Sequence, residues 1–253
     1  MEIKGTKVIW ALLLLVAAAA LISVTAMANP YGPTIYTNGT TERADFSSVG
    51  AKGVAAQAGN VTEITINTSI VTQRWQGYFG NISGTITLDD ASGNTMYDWA
   101  AGSGFSPTGE IYAANQTVSD WDDVICVNFT GNGTPGNDGI NVTVLETMYG
   151  MSSDDSDGVD ETFSSTDDII IGTRTLSDCP ATYIYQSDSQ VSGTWNETLL
   201  TENSTGAVIF AAEVEQDTIG FDGKPWDFQM IVGDNDGYSS GTTTTYWFYV
   251  ELV

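Results

Sequence analysis

"TTTTYWFYVELV", residues 242–253, places Tyr246, Phe248, Val250 and Leu252 on one side of an extended chain. Trp247, Tyr249 and Val253 fall on the other side. Successive side chains of a strand point to opposite faces, so this run is a strand apolar on both faces. Such a strand is expected in the middle of a sheet or beneath a partner.

Working back from it, the chain reads as β throughout. "ITINTSIVT" sets Ile64, Ile66 and Ile70 at period two, and "ISGTITL" does the same with Ile82, Ile86 and Leu88. "VICVNF" (124–129), "INVTVL" (140–145), "TYIYQ" (182–186), "GAVIFAAEV" (206–214) and "DFQMIV" (227–232) are further short runs of branched and aromatic residues. Turn clusters separate them, at 90–94, 204–206 and 235–237. No helical periodicity follows residue 28. About ten to twelve short strands predict an all-β chain, an antiparallel β-sandwich. Residues 85–99 and 197–211 echo each other as a strand, an acidic Ser-Gly turn and an apolar return, and predict two similar hairpins.

The first 28 residues are a targeting segment. Lys4 and Lys7 precede or flank an apolar run, Val8 to Ile22, and Ala26-Met27-Ala28 is the small-x-small pattern cut by signal peptidase. As a helix that run covers about 22 Å, short of the ~30 Å hydrocarbon core. Extended to Ala28 it would just span, so an uncleaved anchor is the alternative, and the membrane is reached only through it. Residues 29–60 are small and loop-like and form an N-terminal extension. Residues 61–253 form the β-sandwich domain.

The chain carries 32 acidic and 7 basic residues among 253, a formal net charge of −25. A field of that sign repels phosphates and argues against nucleic acid and anionic membrane as partners. It contains no histidine, which removes the commonest general base and the Ser-His and Cys-His nucleophiles. The expectation is a protein that is not an enzyme. Cys126 and Cys179, the only cysteines, are an even pair in an exported chain and are expected to form a disulfide.

Fourteen asparagines would fall in Asn-x-Ser/Thr triplets roughly three times by chance; ten do. They are Asn38, Asn60, Asn67, Asn81, Asn115, Asn128, Asn132, Asn141, Asn196 and Asn203. Behind a signal segment, this density predicts N-glycosylation and a coated outer surface. The loop "SSDDSDGVDE" (152–161) has part of the oxygen spacing of a calcium loop, with Asp154, Asp155, Asp157 and Asp160 as candidate ligands. Ser153 and Ser164 stand where a true EF-hand needs carboxylates. "GDNDG" (233–237) is a second oxygen-rich turn. No cofactor is required, and Ca²⁺ is the ion these loops would suit.

Signal, dense sequons, a sequence pI near 4.1, Thr-rich strands and a single cysteine pair resemble archaeal exported surface glycoproteins. These are the subunits of S-layers, sheaths and donor-strand filaments. The resemblance is one of style over the mature chain and carries no functional residue across. It implies a secreted, cell-surface location and self-association into a homopolymer. Residues 29–60 would be the donor strand and 243–253 the strand that meets a neighbour. The competing reading is a secreted adhesin that binds surface polysaccharide through Trp75, Trp99, Trp121, Trp195, Trp226 or Trp247. A docked extension would favour the adhesin and a projecting one the polymer.

Overall fold

Between Ala207 and Ala212 no residue is more than 1% exposed. This segment lies at the centre of a large antiparallel sheet. The computed structural model describes residues 29–33, 39–42, 57–58, 61, 63–64, 71–84, 86–99, 108–130, 133–136, 138–234 and 243–252. The expected targeting segment, most of the expected extension, residues 65–70 of the expected "ITINTSIVT" strand and the 235–237 turn lie outside the described residues.

In chain order the strands are β1 (Trp75–Gly80), β2 (Thr87–Asp89), β3 (Thr95–Asp98), β4 (Gly109–Ala114) and β5 (Val124–Cys126). Next come β6 (Ser165–Ile171), β7 (Arg174–Tyr183), β8 (Tyr185–Gln186), β9 (Ser189–Gln190), β10 (Asn196–Glu202) and β11 (Val208–Glu213). The last are β12 (Thr218–Ile219), β13 (Pro225–Trp226), β14 (Phe228–Gly233) and β15 (Trp247–Leu252). Among the described residues there are also two helices, α1 (Val142–Tyr149) and α2 (Val159–Thr162), and a 3-10 turn, Trp121–Asp123.

The main sheet runs β15-β4-β11-β10-β7-β6, with β5 also paired to β10. The period-two pattern divides its side chains between two cores. Ile111, Ala113, Leu199, Val208, Phe210 and Val250 face one; Tyr112, Ala114, Leu200, Ile209 and Ala211 face the other. Both faces are dry, which explains why β11 is apolar at every position from Val208 to Ala212. The first face is covered by the β1–β14 ribbon, through Met230 and Val232, and by Leu145, Tyr149, Val159 and Phe163 of the helical region. The second is closed by Trp121, Val124 and residues of β6 and β7. The chain is therefore mostly β, built around one large sheet.

One local expectation changes. The 140–145 run is not a strand. Val142, Thr143 and Val144 have strand propensity, but Asn141 caps a helix by accepting from the Val144 N–H at 2.9 Å. Gly150, left-handed at φ 63°, ends it, with Gly150 N–H to Thr147 O and Met151 N–H to Glu146 O. Good caps and the burial of Leu145 and Tyr149 override propensity here. Among the described residues the closing strand ends the strand order of the main sheet and is covered, the second of the two placements expected for it. β15 pairs with β4 on one side, and its second apolar face is met by Trp121, whose ring lies 5.1 Å from that of Tyr249.

Both echoed hairpins form. β10 and β11 make one in the middle of the sheet; β2 and β3 make the other as an isolated two-stranded unit.

Candidate functional site

α1 and α2 turn Leu145, Tyr149 and Val159 into the same core. The acids next to those anchors are thereby brought together at the seam between the helices. One carboxylate oxygen from each of Glu146, Asp160 and Glu161 lies within 4.8 Å of the other two. Glu146 is only 7% exposed, and among the described residues its Oε1 receives no hydrogen bond. Asp160 and Glu161 face solvent. Gly158 opens the approach: a side chain there would collide with the Glu161 carboxylate.

Burial, reinforced by Asp160, pushes the Glu146 carboxyl above the usual carboxylate range. Hydrogen bonding with Glu161 pulls Asp160 below it, and Asp160 in turn pushes Glu161 up. Three acids thus compete for little proton and no counter-charge. Among the described residues the one ion pair, Lys224 to Asp222 at 3.1 Å, involves none of them.

This group shares only Asp160 with the ligand set expected from the sequence. Asp155 Oδ2 accepts from the Ser152 N–H at 2.8 Å and closes a turn. Asp157 anchors the loop to the start of β1: its Oδ2 accepts from the Thr72 hydroxyl at 2.6 Å, and its carbonyl accepts from Trp75 Nε1 at 2.7 Å. Asp154 is exposed. Glu146 carried no signal in the sequence, sitting just after the 140–145 run that reads as strand.

Asp160 also borders a cleft of about 770 Å³ that runs beside the cysteines and is lined by Phe129, Asp138, Phe163, Asp178 and Pro180 among others. Cys126 and Cys179 are bonded, with Cα atoms 5.0 Å apart, inside the usual range of about 4.4–6.8 Å. The bond joins β5 to β7, which pair with successive stretches of β10.

Six sequon asparagines are described, and Asn81 is the exposed one. The other five are half-buried and engaged. Asn115 Oδ1 accepts from the Val208 N–H at 2.9 Å, and Asn128 Oδ1 from the Thr130 N–H at 2.8 Å. Asn141 is the α1 cap. Asn196 Nδ2 donates to Asp167 at 2.6 Å, and Asn203 Oδ1 accepts from the Gly139 N–H at 2.9 Å. Asn38, Asn60, Asn67 and Asn132 lie outside the described residues.

Of the tryptophans, Trp121 and Trp195 are buried, and Trp75 packs on Tyr149, Phe163 and Phe210. Trp99 and Trp247 are exposed, and Trp226 is half-buried against Phe79.

Set against known proteins, the chain matches no protein family, no curated protein and no solved structure.

Proposed function

We propose that the protein is an extracellular structural glycoprotein, the subunit of a cell-surface filament, sheath or layer. In this reading it is built on a β-sandwich whose second layer is the β1–β14 ribbon, and it associates with its own copies through strand or face contacts. The targeting segment, the sequon density and a disulfide suited to an oxidising compartment support an outside location. Among the described residues no helix is long and apolar enough to cross a membrane.

The observation that carries the assembly reading is the β2–β3 hairpin. Its apolar side chains stand in solvent: Met96 is 82% exposed, Tyr97 58%, Trp99 55% and Leu88 49%. A two-stranded hairpin is marginal by itself, and large apolar side chains left in solvent on both of its faces mark a surface that is covered in use. A second copy of the chain is the partner this reading assigns to it.

The start of the extension rests on its own domain. Tyr31 N–H donates to Val250 O at 3.2 Å, and Val250 N–H donates to Tyr31 O at 2.9 Å, on the outer edge of β15. Pro30 beside it is buried. A docked segment was the feature expected of the adhesin. It serves a polymer when the segment is exchanged for the same segment of a neighbour, a swap that makes identical contacts. Against the adhesin stand the ring geometries. Tyr97–Trp99, Phe79–Phe221 and Phe79–Trp226 cross at 66°, 69° and 65°, so these pairs offer no flat platform for a sugar ring.

The test is light scattering of the mature protein beside a Met96→Glu, Trp99→Ser variant, at matched salt. Assembly that disappears in the variant supports the reading. Equal assembly in both removes the hairpin as the contact, and a wild-type protein that stays monomeric at high concentration favours the adhesin.

A further inference from the structure

The Glu146 carboxylate is the least explained group on the helical side of the core. A carboxylate withdrawn from water is retained only with hydrogen-bond donors, a proton or a cation. Glu202, equally buried, shows the first solution: it accepts from the Ser119 N–H and hydroxyl and from the Asp120 N–H at 2.6 to 2.9 Å. Glu146 has no such donors at Oε1, and its nearest charged neighbours are more acids, Asp160 and Glu161 within the cluster and Asp155 near it.

We propose that Glu146, Asp160 and Glu161 bind a hard divalent cation, calcium in preference to magnesium, which clamps α1 to α2 over the sheet. The unpartnered, nine-tenths buried Glu146 oxygen and the convergence of three carboxylates carry this. The ligand chemistry favours calcium: carboxylates drawn from two separate helices suit an ion that accepts flexible oxygen coordination, whereas magnesium demands near-ideal octahedral geometry and gives up its waters reluctantly. Two of the three ligands face solvent, which leaves room for the waters that would complete six to eight ligands. The function of such a clamp is local. α2 is a single turn of four residues, too short to hold itself, and the cation would fix it against α1 and so fix the Asp160 rim of the cleft. This inference stands apart from the surface-subunit reading, since the site lies within one chain.

The competing account is a proton shared between Glu146 and Asp160 with no metal. Calorimetric titration of metal-free mature protein with CaCl2, and separately with MgCl2 at the same ionic strength, separates the two. The proposal expects one saturable calcium site, weaker for magnesium by about tenfold or more, and a melting temperature that climbs with the logarithm of calcium concentration. Glu161→Gln, a change at an exposed position that leaves the core intact, should weaken calcium binding by about tenfold or more, and Glu146→Gln should do the same if it folds. Absence of a saturable site, or a Glu161→Gln protein that binds calcium like the wild type, would overturn the proposal and leave the shared proton.

Discussion

Glu110 and Glu251 stand directly opposite each other on β4 and β15, and on its other side Glu110 is opposite Glu213 of β11. Three glutamates therefore form a row across three neighbouring strands, on the face that also carries Tyr112 and Tyr249. Like charges directly opposed weaken a sheet, so the row holds together only with protons in it. Burial, then the charges of Glu251 and Glu213, pushes Glu110 up to about 8. Burial raises Glu213, with Asp167 adding to it, and raises Glu251 despite its bonds from the Gly172 N–H and the Tyr112 hydroxyl.

The sign of the resulting pH dependence is the reverse of the usual one for an acid. As pH rises through about 4.5 the unfolded chain gives up the Glu110 proton while the folded chain keeps it. Stability from this group is full below that value and is lost by about pH 8. Glu110→Gln should therefore flatten the loss of stability between pH 5 and 8, with a gain near pH 8 on the order of a few kcal/mol. Urea unfolding across that range checks it; a variant that tracks the wild type at every pH would remove the row from the account.

Glu202 works in the opposite direction. Burial opposes its charge, yet the bonds from Ser119, Thr205 and Asp120 hold its carboxyl below the ordinary range. Its contribution is present above the unfolded pKa and fades as pH falls. Glu202→Ala strands these donors and should cost about 1–3 kcal/mol at neutral pH, read by the same unfolding experiment. A neutral result would mean that the 118–120 loop finds water instead.

Reducing the Cys126–Cys179 bond reopens a loop of 53 residues in the unfolded chain. The chain-entropy relation gives a loss of about 4 kcal/mol. Thermal melting with and without reductant measures it, and an unchanged melting temperature would show that β5 and β7 are held by β10 alone.

Exposure in the folded chain sets an order among the sequons. Peptide mass spectrometry of native protein should find glycan on Asn81, which is exposed, and none on Asn196, whose Nδ2 is held by Asp167. Glycan on Asn196 with Asn81 bare would contradict the reading of these positions. Asn141→Ala, by loss of the α1 cap, should cost about 1 kcal/mol.

Alternation was legible wherever both faces of a strand are buried. The two sides of β11 and β15 can be read from the order of their residues. Which strand lies beside which could not be read, because pairings such as Tyr31 with Val250 form only across almost the whole chain. The α1 helix was hidden by the branched Val142, Thr143 and Val144, and only the structure shows Asn141 and Gly150 as its ends. The acidic loop announced oxygen ligands but not their directions: Asp155 and Asp157 were drawn into turn and anchor bonds, while Glu146 arrived from another element. The glutamate row is invisible in sequence, since 103 and 38 residues separate Glu110, Glu213 and Glu251 along the chain and only strand register aligns them.

The central claim is that this chain is a self-associating subunit of the cell exterior. Electron microscopy of the native cell surface and its shed material, with antibody to residues 61–253, tests it most directly. The account predicts label along a repeating filament, sheath or layer. Label confined to scattered single molecules, or found inside the cell, would contradict it.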